Sequence, residues 1–468
     1  MSTPLVDQDR SQEKFQIKQL SDVTGKSASA FVKNIEVYQY KIFWTFAANC
    51  SLGAWLILNH FLFDYKSNAL VLSDTISGAL IIAFEIIAFS PHGAVIRWCT
   101  PLVAVWLLLA PFIFWSPTPA VFLVDTLIAV FVITFSFLIP GLPGKAGFVL
   151  PGPDRPPGWT YNPSSWIRRW LGLALALLGF FISRYLAAHQ LGYIGHAYDP
   201  FFGDGSDRVT GSALSKSFPI SDAGLGSVAY MLETLAGFMG DRARWRTAPW
   251  IAVMSALLVL PLGATSVILV IMQPVVVGAW CGLCLISAAA LLTSVPLAVH
   301  EAIAVGQFLL EARAQKKDLW QVFWMGGSIV NGGTDDPDRT NFNIMQRWIA
   351  SIQGVTVPWT IAVQLIIGIW LMARPDIIAF TAETANCDHL VGAIIVTVAA
   401  VATAEVTRIV RYLNVPIGVI LIGASLILAL HNPIVLVSEI FCGVLLILVS
   451  LPRGKIVESY ASWNKFVR

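Results

Sequence analysis

Charge is scarce in this sequence. Asp, Glu, Lys and Arg make up 12% of the 468 residues, about half their share in an ordinary soluble domain. The 30 Lys and Arg against 28 Asp and Glu leave a formal net charge of +2, too little to draw the chain to nucleic acid. Cysteine is scarce too. Cys50, Cys99, Cys281, Cys284, Cys387 and Cys442 are spread over the whole length, which excludes a small disulfide-stapled scaffold. Phosphate-binding glycine loops, nucleophile elbows and paired catalytic carboxylates at recognisable spacing are missing. No second Cys or His pair lies near Cys281 and Cys284 in sequence, so no metal site is expected. Residues 1–40 are polar and mixed in charge, unlike a secretory signal.

Apolar sequence is what remains. Hydrophobic residues make up 56% of the chain and the mean hydropathy is +0.71. Several runs approach the roughly 20 apolar residues that cross a bilayer. The expected fold is an all-α polytopic membrane protein of about twelve spans. They are placed at 42–60, 71–89, 97–115, 119–139, 169–188, 224–239, 248–272, 279–299, 357–373, 388–407, 412–430 and 433–451. Lys14, Lys18, Lys26, Lys33 and Lys41 precede the first span. Arg242, Arg244 and Arg246, then Arg313, Lys316 and Lys317, then Arg408 and Arg411 follow on alternate loops, and Arg453, Lys455, Lys465 and Arg468 close the chain. The positive-inside rule then puts both termini in the cytoplasm. Residues 190–223 offset Arg208 and Lys216 with Asp199, Asp204, Asp207 and Asp222, and are read as extracytoplasmic. A bacterial inner (plasma) membrane is the expected location.

The chain repeats itself. Residues 55–63, WLILNHFLF, and 106–114, WLLLAPFIF, recur at an offset of 51, as do Asp74-Thr75 and Asp125-Thr126. Trp44, Gly53 and Trp55 have the spacing of Trp359, Gly368 and Trp370. Asp74, Gly78 and Arg97 have that of Asp388, Gly392 and Arg411, and Gly392 and Gly443 are again 51 apart. The expected plan is 4+4+4. It runs as a tail (1–40), a four-helix unit (41–140), a Pro/Gly-rich linker (141–165), a central four-helix unit (166–300), a connector (301–356), a second copy of the first unit (357–452) and a tail (453–468). The flanking units resemble the SPW repeat family of bacterial membrane proteins, which implies a scaffold and no assigned chemistry. Their tryptophans read as packing and interfacial anchors. Asp74, Asp125 and Asp388 read as helix caps. The connectors include PGLPG, PGPDRPPGW and GGTDDP, cannot be continuous helices, and read as linkers open to a cytoplasmic partner.

Residues 280–285 read WCGLCL. Cysteines at this spacing close a small disulfide on one helical turn, and a helix N-terminus favours the reactive thiolate. Redox chemistry at a membrane surface is the first hypothesis.

Residues 166–300 resemble the vitamin K epoxide reductase family. The features in order are a span ending near His189, a loop, Leu225-Gly226 followed by Tyr230, and Trp280-Cys281-Gly282-Leu283-Cys284 heading a fourth span. The resemblance implies a bundle that binds a quinone, ubiquinone or menaquinone, beside the cysteine pair. Cys284 would lie nearest the quinone and Cys281 would exchange disulfides with an incoming thiol. A thioredoxin-like or other extracytoplasmic thiol protein, besides membrane lipid, is the implied partner. Arg184, Glu233, Tyr230, Trp280 and Ala288 are candidates for the quinone pocket. Ala288 stands where animal members carry a tyrosine. Residues 190–223 hold no cysteine, and Ser206 stands where the family's second loop cysteine would be. The internal electron relay is lost, because a hydroxyl cannot undertake disulfide exchange.

Three functions stay open: a thiol–quinone oxidoreductase, a quinone- or lipid-binding scaffold for a partner, and a processor or transporter of a lipid-linked substrate. Cys387 is a candidate replacement for the relay, with a lone packing thiol as the simpler reading. His189 and His196 are candidate proton donors. Glu85, Arg184, Glu233 and Glu405 are charges within or beside spans, where ion pairing competes with function.

Overall fold

The computed structural model describes residues 44–88, 96–138, 152–329, 332–333, 343–378, 381–428 and 432–467. The N-terminal tail with its lysines, the PGLPG segment, Arg468 and most of GGTDDP lie outside the described residues.

All regular structure among the described residues is helical, with β-pairing confined to isolated bridges. A helix falls on each predicted span. These are α1 (Trp44–Leu62), α2 (Asn68–Ala88), α3 (Cys99–Ile113), α4 (Pro119–Leu138), α5 (Trp166–Gln190), α6 (Asp222–Phe238), α7 (Pro249–Met272), α8 (Gly282–Ala314), α9 (Trp359–Ala373), α10 (Ala382–Ala402), α11 (Asn414–Leu428) and α12 (Pro433–Ser450). Eight segments are long and apolar enough to cross a membrane: α2, α4, α5, α7 with its following turn, α8, α10, Glu405–Leu428 and α12. The other four, α1, α3, α6 and α9, are shorter or less apolar, so about twelve crossings is more than length and composition support. Proline at the first helical position opens α4, α7 and α12, where its missing N–H is not needed. Ser221, Thr381 and Asn432 cap α6, α10 and α12 through their side chains.

Packing follows the chain. α1 lies on α2, α2 on α3, α3 on α4, and α4 returns to α1. The central helices close similarly through α5–α6, α6–α7, α7–α8 and α8–α5, and the last four through α9–α10, α10–α11, α11–α12 and α12–α9. α3 touches α6 on one side of the centre, and α10 touches α7 and α8 on the other.

The recurring glycines are backbone contact points. A Cβ on Gly78 would stand 2.5 Å from the Gly53 carbonyl oxygen, and one on Gly392 2.6 Å from that of Gly368. Gly418 and Gly443 meet likewise. In the remaining helix pair Ala104 and Ala129 stand 51 residues after Gly53 and Gly78, both fully buried. Small residues at these crossings let helices approach where apolar lipid supplies no drive for association.

The recurring aspartates are not caps. Asp74, Asp125 and Asp388 lie in the second turns of α2, α4 and α10 and are 1%, 0% and 1% exposed. In the last unit the buried Arg374 guanidinium reaches Asp388 Oδ2 at 2.7 Å and Glu439 Oε1 at 2.9 Å.

At the end of the bundle away from Cys281, the connectors are part of the core. Tyr161 and Tyr460 are fully buried beside Trp159, Trp245 and Phe308. Trp245 Nε1 donates to the Asp154 carbonyl at 2.7 Å, and Arg244 grips both oxygens of Glu301 at 2.5 Å. Glu405 accepts from the Val457 and Glu458 amides and the Tyr460 hydroxyl. Segments read as linkers and a tail therefore tie the units together in their described parts. Aromatic pairs and hydrogen bonds between residues hundreds of positions apart leave no slack chain there.

Gly392→Val is expected to destabilise the protein by about 1–3 kcal/mol, as overpacking does. Gly423→Ala, with no atom within 4 Å of its Cβ, is expected to be neutral or to stabilise by about 0.5–1 kcal/mol through helix propensity. Thermal unfolding of the detergent-solubilised protein compares the two.

Candidate functional site

Cys281 is the N-cap of α8, and Cys284 lies in its first turn. They form a disulfide with Cα atoms 5.2 Å apart. α8 begins here because the polypeptide turns sharply before it. A π-helical turn, Gln273–Val277, follows α7 and ends on Gly278 with φ +66°. That turn sends the Gln273 side chain inward, where its Oε1 accepts the Cys281 N–H at 2.9 Å.

A loop between α5 and α6 covers the pair. Its anchor is Asp199. One carboxylate oxygen accepts the Phe201 and Phe202 amides at 2.9 Å, and the other accepts the Gly282 amide and the Ser206 hydroxyl at 2.8 Å. Burial alone would raise the Asp199 pKa, but these four donors together hold it below the ordinary carboxylate range. Gly205 sits so close to the Trp280 carbonyl that a Cβ would stand 2.0 Å from its oxygen. Tight seating places the Ser206 Oγ 3.4 Å from Cys281 Sγ. Cys281 is fully buried. The residue that replaces the expected relay cysteine thus occupies a position from which a cysteine could reach the disulfide.

Cys284 faces the other way, into a cavity of about 470 Å³ between α5, α6, α7, α8 and the loop. Most of its surface is apolar, including Leu186, Leu225, Leu258, Leu262 and Leu269, with Gln190, Ser215, Asp222, Thr265 and Ser266 among the polar side chains in the wall. The Tyr230 hydroxyl lies 2.8 Å from Ser287 Oγ, one turn from Cys284, and Thr210 and Gln273 also line the wall. Thr210 Oγ1 is 2.8 Å from His189 Nδ1, His189 Nε2 is 3.0 Å from one Asp207 oxygen, and His196 binds the other. With His196 68% exposed, this chain of side chains runs from the surface to the cavity wall.

The expected pocket residues divide. Tyr230 and Cys284 share the cavity, whereas Trp280 and Ala288 do not. They line a separate cavity of about 370 Å³ bounded by Ile369, Met372 and Val396 of the last unit. The Trp280 indole donates to Asp376 at 2.8 Å and packs on His389. Helical phase explains this: Leu285, Ala288 and Leu292 share a face turned about a third of a revolution from Cys284 and Ser287. Arg184 binds Thr126 Oγ1 at 2.9 Å and the Phe122 carbonyl at 3.1 Å, in the first unit. Glu233 lines a small cavity of about 70 Å³ with Arg168, Arg169 and Arg244. No Arg184–Glu233 pair forms, because Glu233 lies beside the first turns of α5 and Arg184 near its other end. Cys387 packs into the core of the last unit with Leu371, Val391 and Cys442. Glu85 accepts from Asn49 at 3.0 Å. In sequence Asp199 reads only as one of the loop's acidic residues, and Gln273 and Ser287 are not singled out. Gln273 alone carried a signal, an uncharged polar residue inside a long apolar run.

Residues 170–299 match the vitamin K epoxide reductase family, and residues 43–138 and 358–452 match the SPW repeat domain. Among curated proteins and among solved structures, no match was found. The chain is a multi-pass membrane protein in which a vitamin K epoxide reductase family segment is flanked by SPW repeat domains.

Asp199→Ala is expected to cost about 1–3 kcal/mol of local stability, since it orphans buried donors. Amides of the 199–212 loop should exchange faster, and reduced Cys281 should become reactive to a bulky maleimide. A depressed carboxylate stabilises above its unfolded pKa and loses that contribution as pH falls through the folded value. The loop should therefore hold at neutral pH and loosen only in acid, below about pH 4.

Proposed function

We propose that the protein is a membrane thiol–quinone oxidoreductase whose working pair is Cys281 and Cys284. The observation that carries this reading is the division of the pair: Cys284 opens on a cavity of mainly apolar surface, and Cys281 faces the loop. Two thiols become a disulfide by losing two electrons and two protons, and a quinone gaining both becomes a quinol. The cavity fits such a group. Its volume, its mainly apolar surface and the Tyr230, Ser287 and Thr210 hydroxyls on its wall suit an apolar ring carrying two oxygens. A bound quinone would supply the electron acceptor there, ubiquinone and menaquinone being equal candidates.

The remaining roles belong to the chain. The α8 N-terminus favours a thiolate once the disulfide opens, and the Cys284 amide already points at Cys281 Sγ at 3.1 Å. Tyr230 donates a hydrogen bond at the cavity wall. The His196–Asp207–His189–Thr210 series holds protons within reach of the cavity and exchanges them with water at His196. Asp199 keeps the loop over Cys281, so an incoming thiol has to displace helix Gly205–Thr210 to reach it. A thioredoxin-like or other extracytoplasmic thiol protein is the proposed donor. In this reading all twelve helices cross a bacterial inner membrane as 4+4+4, with both termini cytoplasmic.

One observation favours a second reading. Cys281 is sealed beneath Ser206, as suits a protein that keeps the cavity for a quinone or lipid and acts as a scaffold.

Reduced protein in proteoliposomes separates the two. Added quinone should restore the Cys281–Cys284 disulfide with one quinol formed per disulfide, and Cys284→Ser should abolish the reaction. Cysteines that stay reduced would leave the scaffold. Under the oxidoreductase reading, Ser206→Cys should form a trappable disulfide between position 206 and Cys281. It should also speed oxidation of an added dithiol at least tenfold. Maleimide labelling of single cysteines placed at residues 2 and 455 from either side tests the orientation.

A further inference from the structure

The first flanking unit buries two carboxylates near each other. Asp74 on α2 and Asp125 on α4 are 1% and 0% exposed, and the two carboxyl groups are near enough to act on each other electrostatically. The Tyr65 hydroxyl binds Asp74 Oδ2 and receives Asn59 Nδ2 at 2.7 Å. Among the described residues no donor reaches Asp74 Oδ1, either oxygen of Asp125, or Asn59 Oδ1. The cluster is therefore rich in acceptor oxygens and nearly without donors. Two such carboxylates inside a low-dielectric core cannot both ionise unless a positive charge joins them.

The last unit shows which charge the geometry accepts. Asp388 and Glu439 stand 51 residues apart, as Asp74 and Asp125 do. Between them lies the fully buried Arg374, with its Nε 2.8 Å from Asp388 and its NH2 2.9 Å from Glu439. Arg374 lies six residues after Gly368, and six residues after Gly53 lies Asn59. The first unit has carboxylates at the matching positions and a neutral amide where the last unit has the arginine.

Nearby groups do not substitute for it. Arg184 reaches α4 from α5 but binds Thr126 Oγ1 and the Phe122 carbonyl. His60 on α1 has a buried Nδ1 without a partner and packs on Phe61. Tyr193, from the loop after α5, binds the Ser116 carbonyl. Glu85 lies about three turns along α2, beside Asn49. α3 carries no acidic or basic residue between Cys99 and Ile113.

We propose that Asp74, Asp125, Tyr65 and Asn59 form a monovalent-cation site, filled by a proton shared between the carboxyls or by a sodium ion, where the second copy carries the Arg374 guanidinium. Both occupants leave the same net charge of about −1 on the cluster, as the arginine does in the last unit. The site stands apart from the cysteine pair and does not depend on its redox activity.

The test uses the full chain in nanodiscs. Melting temperature is measured in sodium chloride and in choline chloride at equal ionic strength across a pH series, with infrared spectra of the carboxyl stretch. A sodium site gives a saturable rise of several degrees with sodium, lost in Asp125→Asn and in Asn59→Arg. A proton site gives no sodium response. It gives instead a carboxylic-acid band at neutral pH in the wild-type minus Asp125→Asn difference. The melting temperature then falls as rising pH removes that band. Asn59→Arg should abolish either response while preserving the fold, and Arg374→Asn should add a second one. A wild-type protein with no sodium response, and no acid band distinguishing it from either variant, overturns the proposal.

Discussion

The carboxylate of Asp199 holds the centre of this molecule in register. It accepts four hydrogen bonds, three from its own loop and one from Gly282 at the head of α8. Without it the Gly282 amide and the Ser206 hydroxyl would be buried donors lacking an acceptor, at a cost of about 1–3 kcal/mol in all. With it, helix Gly205–Thr210 is pressed onto the Trp280 carbonyl and Ser206 onto Cys281. The cover over the disulfide and the start of the helix that carries it are one hydrogen-bonded unit. Neither can shift without the other.

That unit gives the two cysteines different surroundings. One turn of helix separates them, yet Cys281 sees the polar loop and Cys284 an apolar cavity. The next face of α8 belongs to a third environment, the contact with the last unit, where Trp280 binds Asp376. The flanking repeats are thus bound to the site at its edges. Trp115 and Ser116 of the first unit accept or donate across to Pro219 and Tyr193 of the loop, and Asp376 of the last unit takes the tryptophan that precedes Cys281. A displacement of the loop by an incoming thiol would be felt by both.

The sequence was legible wherever one short pattern decides one local structure. The Cys-x-x-Cys pair, the helix start beside it and the repeat offset of 51 are all of this kind. It misled wherever partners come from distant segments. Asp74, Asp125 and Asp388 stand near helix starts, as caps do, and their burial by neighbouring helices has no local signature. Arg184 and Glu233 read as partners on adjacent helices, but Gly226 packs on Ser183 and Gly237 on Leu173, so antiparallel packing carries Glu233 toward the opposite end of α5 from Arg184. The Pro/Gly-rich connectors have the composition of free linkers. Trp159, Tyr161 and Tyr460 nevertheless bury them, because aromatics that far apart in sequence can find each other only after the units have assembled. Asp199 lies in an Asp-Pro turn that composition alone does not distinguish from any other.

The flanking units answer one electrostatic problem in two ways. Duplication carried a pair of acidic positions into both, 51 residues apart and buried at the same crossing. Burying two like charges side by side is untenable in a medium that screens little. In the last unit the answer is covalent, since Arg374 is part of the chain and its guanidinium bonds both carboxylates whatever the solution contains. In the first unit Asn59 leaves the balance to something exchangeable. The difference matters because the last unit also holds Trp280 beside the cysteines. A neighbour of the cysteine pair with a built-in cation keeps one charge state, while the unit on the far side is free to respond to the solution. The asymmetry therefore lies in a single side chain, and it follows from counting donors against acceptors at a buried crossing.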